Sequence, residues 1–174
     1  MGKLILISTM ILLIVLGGGY FNRTQCLGDD GPQQAVLNYF SAMKSERFEK
    51  AYQFITANMA SEKTVEAWAS QQRRVFAIGK VVINKIDVRE SYRTLDNIFM
   101  CANTAKVSNV LHASDVFNNQ GSSEFEVYTL TLKDGMWKID SQETLFDDVL
   151  IQQWFPNDIL PEFKDTLIPA KAGT

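Results

Sequence analysis

At 174 residues, with 46% hydrophobic and 21% charged side chains, the chain has the length and composition of one globular domain able to bury its own core. A net charge of -3, with Arg73-Arg74 as the one local basic pair, argues against a nucleic-acid partner, because phosphate binding needs clustered cations. One histidine and two distant cysteines make no metal-ligand set, and no glycine-rich phosphate loop or nucleophile elbow follows a strand, so neither metal nor cofactor is expected.

The chain opens with an address. Leu4 to Phe21 carries no charge, follows Lys3 and is densely aliphatic as far as Leu16. A basic residue before a short apolar run is the secretory-signal pattern, and Gly17-Gly18-Gly19 offers small residues for cleavage. The run also reaches the length of the shortest membrane-spanning helix, roughly 17 to 20 residues. The expectation is an uncleaved signal-anchor over residues 1–21, with a cleaved signal peptide as the alternative. Both place the domain on the periplasmic or other extracytoplasmic side of the membrane, with Lys3 on the cytoplasmic side. Gln25 and Arg23 occupy the positions where a lipoprotein signal needs a small and an aliphatic residue, so lipidation at Cys26 is not expected. Two readings of the cysteines stay open. Cys26 and Cys101 form a disulfide in an oxidising compartment, or Cys101 is a buried thiol in an apolar strand.

Residues 22–31 read as a polar linker. Pro32 then suits a first helical turn, and Ala35, Val36, Tyr39, Phe40 and Met43 recur at helical spacing. Lys44 to Arg47 interrupts the stripe before a second helix bearing Phe48, Ala51, Tyr52 and Ile55. A third helix is expected from Ser61 as its cap to Gly79, with Val65, Trp68, Ala69, Val75 and Phe76 inward. Val81 to Arg89 is β-branched and partly alternating, a polar turn covers Ser91 to Asn97, and Ile98 to His112 reads as one long strand. Ser114 to Ser123 is the expected loop. Gly121 to Asp140 holds the strongest local signal: two β-rich runs joined at Lys133-Asp134-Gly135, where Asp-Gly supports a tight hairpin. A helical stripe of Leu145, Phe146, Val149, Leu150 and Trp154 follows, and residues 156–174 form an apolar-rich tail. Helices first and consecutive strands after is the α+β pattern: three helices on a curved four-strand antiparallel sheet, with a short C-terminal helix and tail.

Ala35-Val36-Leu37-Asn38-Tyr39-Phe40-Ser41-Ala42-Met43, Arg47 to Tyr52, Ser61 to Trp68 and the closing Asp134 to Asp140 together resemble the nuclear transport factor 2-like superfamily, whose fold is a cystatin-like α+β cone. The resemblance spans about residues 32–142, within an expected domain of residues 32–155. It implies a pocket between helices and sheet. It does not choose a function, because the superfamily includes isomerases, dehydratases, ligand carriers, enzyme subunits and periplasmic domains of secretion machines.

Tyr39 matches the first-helix tyrosine of ketosteroid isomerases in that superfamily. Such enzymes also need a carboxylate base and a protonated acid. The resemblance puts the base within Thr56 to Ala60, which holds no acid, and the protonated acid at Val127 or Tyr128, neither of which is one, so two of the three roles are empty. Tyr39 is therefore read as a core aromatic, His112 as a surface histidine despite the nearby Asp115, and Trp68 and Trp137 as core. No enzyme activity is expected. The first functional expectation is an anchored accessory or scaffolding subunit of a membrane protein complex, held to the membrane by residues 4–21 and contacting other subunits, with homodimerisation through the sheet face. The second is a pocket protein that binds or transforms a small apolar ligand, with Tyr39, Trp68, Tyr128 and His112 as ligand-contact candidates. The third is an inner-membrane component similar to those of type IV secretion.

Overall fold

The computed structural model describes residues 30–93, 95–97 and 100–158. The apolar run 4–21, the linker to residue 29, Cys26 and the tail from 159 lie outside the described residues. No helix among the described residues is long and apolar enough to cross a membrane.

Helix α1, Gly31–Lys44, begins with proline in its first turn and buries Ala35, Val36, Tyr39, Phe40 and Met43, the expected stripe. Helix α2 is one short turn and a half, Phe48–Tyr52. Ile55 is not helical: the chain straightens there, and Thr56 N and Ile139 N bond to Ile139 O and Phe54 O at 2.9 and 2.8 Å. That strip runs parallel to a sheet edge at Ile55–Ile139 and covers backbone groups that would otherwise stand exposed.

Helix α3, Val65–Gly79, departs from the expected start and face. Its cap is Thr64, whose side chain accepts from Ala67 N at 3.3 Å, whereas Ser61 adopts φ +53° in the preceding turn. Lys80, not Gly79, takes the left-handed conformation that closes the helix. Trp68 and Ala69 are buried and Phe76 packs edge-on against Phe48 with centroids 5.0 Å apart, but Val75 faces solvent.

The main sheet has the order β1-β4-β5-β6 and is antiparallel throughout. Its strands are β1, Val82–Tyr92; β4, Thr104–Ser114; β5, Ser122–Lys133; and β6, Met136–Leu145. The single strand expected from Ile98 to His112 is broken. Leu95–Asn97 (β2) and Met100–Cys101 (β3) form a separate two-stranded ribbon. The ladder restarts at Thr104 because the chain turns at Ala102-Asn103, where Ala102 O accepts from Arg93 Nε at 2.7 Å and Asn103 O from Leu132 N at 2.8 Å. The anticipated hairpin is present: Asp134 (φ +51°) and Gly135 (φ +76°) form a two-residue loop with both residues in the left-handed region.

Strand alternation divides the buried side chains into two clusters. The helix-side cluster joins α1–α3 to Ile83, Ala105, Val107, Tyr128, Leu130, Trp137 and Ile139. The opposite face carries Val110, Phe125, Val127 and Leu145, covered by Ile151 and Phe155. Ile151 lies in α4, Asp148–Trp154, and Phe155 directly follows it; the helix is capped by Asp147 Oδ1, which accepts from Val149 N and Leu150 N at 2.9 and 3.1 Å. Here the expected apolar stripe is corrected. Leu145 ends β6, Phe146 is 87% exposed and Val149 also faces solvent, while Ile151 and Phe155 point inward.

Candidate functional site

Strand β5 sends Glu126, Tyr128 and Leu130 into the helix-side interior and Phe125 and Val127 to the other face. Glu126 is 1% exposed, a buried acid in an otherwise aromatic interior. Its Oε2 accepts from Tyr128 Oη at 2.7 Å and from Asn109 Nδ2 at 3.0 Å. Its Oε1 accepts from Gln142 Nε2 at 2.6 Å. Asn109 is held in turn, because its Oδ1 accepts from Asp87 N at 3.2 Å across the β1–β4 ladder. A β-bulge in the β5–β6 ladder at Thr129/Leu130 sets the register that brings Gln142 opposite Tyr128 and leaves Glu126 opposite Thr144.

Burial raises the carboxyl pKa from 4.5 to about 7; the bonds from Tyr128, Asn109 and Gln142 pull the other way, and the nearby Glu124 charge adds to the rise. Burial, and then the field of Glu126, push the Tyr39 and Tyr128 hydroxyls up, so both phenols stay protonated. Tyr39 and Tyr128 flank Phe40, which meets them edge-on at 5.3 and 5.7 Å. The cluster can hold or release one proton near neutral pH. Of its members only Gln142 faces solvent.

Tyr39 and Tyr128 therefore do share one buried cluster, and its carboxyl group is Glu126, one residue from the positions Val127 and Tyr128 that the sequence reading had found without an acid. The signal was available: in Phe-Glu-Val-Tyr-Thr-Leu, Glu126 alternates in phase with Tyr128 and Leu130. Trp68 is buried elsewhere, edge-on to Tyr52 at 5.8 Å, whose hydroxyl donates to Lys63 O at 2.8 Å. His112 lies on the opposite face of β4, its Nδ1 2.8 Å from Ser123 Oγ. Asp115 does not join it; Asp115 Oδ1 accepts from Phe117 N and Asn118 N at 2.7 and 2.9 Å and shapes the β4–β5 loop. Thr56, in the segment found to lack the base that the isomerase pattern requires, is buried and donates its hydroxyl to Asp140 Oδ1 at 2.7 Å. Cys101 is disulfide-bonded. Cys26, the chain's other cysteine, lies outside the described residues.

Two larger clefts open elsewhere. One of about 550 Å³ lies where α1 begins, between Ala35, Tyr52 and Phe54 and the hairpin residues Met136 and Trp137. The other, about 910 Å³, lies on the outer sheet face between Arg89, Lys106 and Trp154. Neither is lined by Tyr39, Trp68, Tyr128 or Glu126.

No family model and no curated protein matches the sequence. Solved structures do. A protein from Catenulispora acidiphila is 13% identical, with a TM-score of 0.51 over 74% of this chain and 97% of that chain. A ketosteroid isomerase-like protein from Erwinia carotovora atroseptica is 12% identical, with a TM-score of 0.48 over 68% of this chain and 98% of that one. Bd1075 of Bdellovibrio bacteriovorus is 12% identical, with a TM-score of 0.47 over 65% of this chain; the chain spans 39% of that protein's length. With three helices leading into an antiparallel β1-β4-β5-β6 sheet, the chain has the nuclear transport factor 2-like α+β fold.

Proposed function

We propose that the protein is a non-enzymatic, membrane-tethered extracytoplasmic subunit that works by binding another protein. The observation that carries this reading is an exposed apolar patch at one end of the domain. Phe117 is 95% exposed and Ile78 78%, with Val82 and Val116 beside them. The backbone gathers these residues: Val116 N donates to Gly79 O at 2.8 Å, and Val82 pairs with Ser114. Exposed apolar side chains gathered on an ordered loop mark an interaction surface more often than chance. Asp115 holds Phe117 in place from within that loop.

The position of the patch supports a protein partner. Gly31, where the linker enters, shares a cleft with the β5–β6 turn. Helix α1 then runs 14 residues, about 21 Å, to Lys44, whose Nζ donates to Asn84 O near the patch. A tether through residues 4–21 and a bilayer at the Gly31 end would leave Phe117 on the far side, facing protein and not lipid. The interior agrees with a binding role without chemistry: the described clefts bypass it, and three side chains already hydrogen-bond its acid.

Gentle solubilisation of native membranes followed by native mass measurement tests the proposal. The expected result is a complex heavier than a homodimer that Phe117→Ser dissociates. A protein that runs only as its own monomer or dimer, with or without the substitution, overturns it. A pocket protein remains the second reading, favoured by one observation: Glu126 titrates near neutral pH beside two protonated phenols.

A further inference from the structure

Helix α4 is apolar on two sides. Ile151 and, just past the helix, Phe155 fill the outer-face core, yet Phe146 is 87% exposed, Val149 75% and Leu150 41%. A helix that is apolar all round is normally buried all round, and this second side stands uncovered among the described residues. The patch is held in place. Asp147 Oδ1 fixes the first turn by accepting from Val149 N and Leu150 N, and Leu145, beside Phe146, is locked in β6 opposite Phe125.

The charge around the patch has one sign. From Ile139 to Asp158 the sequence holds no lysine or arginine. Glu143, Asp147 and Asp148 are exposed next to it in the chain, as is Glu124, one residue before the Phe125–Leu145 pair. None of the ion pairs among the described residues includes any of these acids. Lys85 stands on β1, three strand spacings from β6, or roughly 14 Å. Lys106 lies over the Trp154 ring at the other end of α4.

We infer that the outer side of α4 docks a basic amphipathic segment of another protein, its apolar stripe on Phe146, Val149 and Leu150 and its lysines or arginines against Glu143, Asp148 and Glu124. The same charges disfavour other occupants. A second copy meeting this face across a two-fold axis would set acid against acid, and an anionic membrane surface would be repelled. The inference rests on the reading of the domain as a protein-binding subunit and adds a contact separate from the Phe117 loop.

Photo-crosslinking of the full chain in native membranes tests it, with p-benzoylphenylalanine replacing Phe146 and, as a control, replacing Val75, which is exposed on α3. Position 146 is expected to capture a segment of another polypeptide whose apolar residues recur at helical spacing between lysines or arginines, and position 75 is not. Either Asp148→Lys or Glu143→Lys should cut that yield about tenfold; Glu143 lies in β6, so its change leaves the α4 cap intact. A crosslink to a second copy, to residues 159–174 of the same chain, to lipid or to a segment without cations overturns the inference. So does no crosslink, or a yield that neither charge reversal lowers. Dissociation by Phe117→Ser with no crosslink at position 146 sinks this contact alone, whereas a basic captured segment with a native mass indifferent to Phe117→Ser sinks the Phe117 contact alone.

Discussion

The two faces of one sheet have been finished in different ways. On the helix side, three helices cover most of the β-strand side chains, and the acid enclosed there accepts three hydrogen bonds. On the other side, α4 covers Val110, Phe125, Val127 and Leu145 but stops short of Arg89 and Lys106, where a cleft stays open among the described residues. The helix-side face supplies most of the buried core; the outer face keeps charged side chains in reach of solvent.

The comparison breaks most severely at Phe40. It is the ring between Tyr39 and Tyr128, and Phe40→Ala should cost about 3–5 kcal/mol of global stability, read by urea unfolding, because no element on that side can move away to close the cavity. Phe155→Ala on the outer face should act locally instead. Hydrogen exchange should speed up at Ile151 and Phe155 amides while β4 and β5 stay protected, since α4 can detach without disturbing the ladder.

Next in size is the pH dependence of the buried acid. Glu126 has its pKa raised from 4.5 to about 7, so between those values the folded protein keeps a proton that the unfolded chain has released. Its contribution is fully present below pH 4.5 and is lost as pH rises through about 7. Wild-type protein should therefore lose about 3 kcal/mol relative to Glu126→Gln across that window. Urea titrations at several pH values measure it, and parallel curves for the two proteins would show that the interior acid is not what titrates. Tyr128→Phe sharpens the same point. It should cost about 1.5–3 kcal/mol at pH 8, where the acceptor is charged, and about 1 kcal/mol at pH 5, where it is neutral.

How much of this was legible in the sequence depended on how local each signal was. The Asp134-Gly135 turn and the stripe of α1 were readable because φ preferences and a 3.6-residue period act within a few residues. The break of the second strand at Ala102-Asn103 was not, because it depends on Arg93 and Leu132 reaching that backbone. The α4 face was misread for a similar reason: Leu145 fits a helical stripe, yet pairing with Phe125 holds it in β6. Glu126 is the instructive case. Its phase with Tyr128 was visible, but Asn109 and Gln142 come from two other strands, and a β-bulge sets the register that aligns one of them.

The smallest expected effect on stability bears most directly on function. Phe117→Ser should change unfolding free energy by no more than about 0.5 kcal/mol, because the ring already lies in water. Asp115→Ala should cost about 1 kcal/mol by releasing the two backbone N–H groups that Asp115 Oδ1 holds. If the loop is only a connection, the stability ranking is the whole story and native complexes are indifferent to Phe117. If the loop presents a contact, native mass should reverse the ranking: the nearly silent Phe117→Ser should dissociate the complex, and Asp115→Ala, which leaves the ring present but unheld, should weaken it less. That reversal is hard to obtain from a general loss of stability, since the more stable variant would be the more defective one.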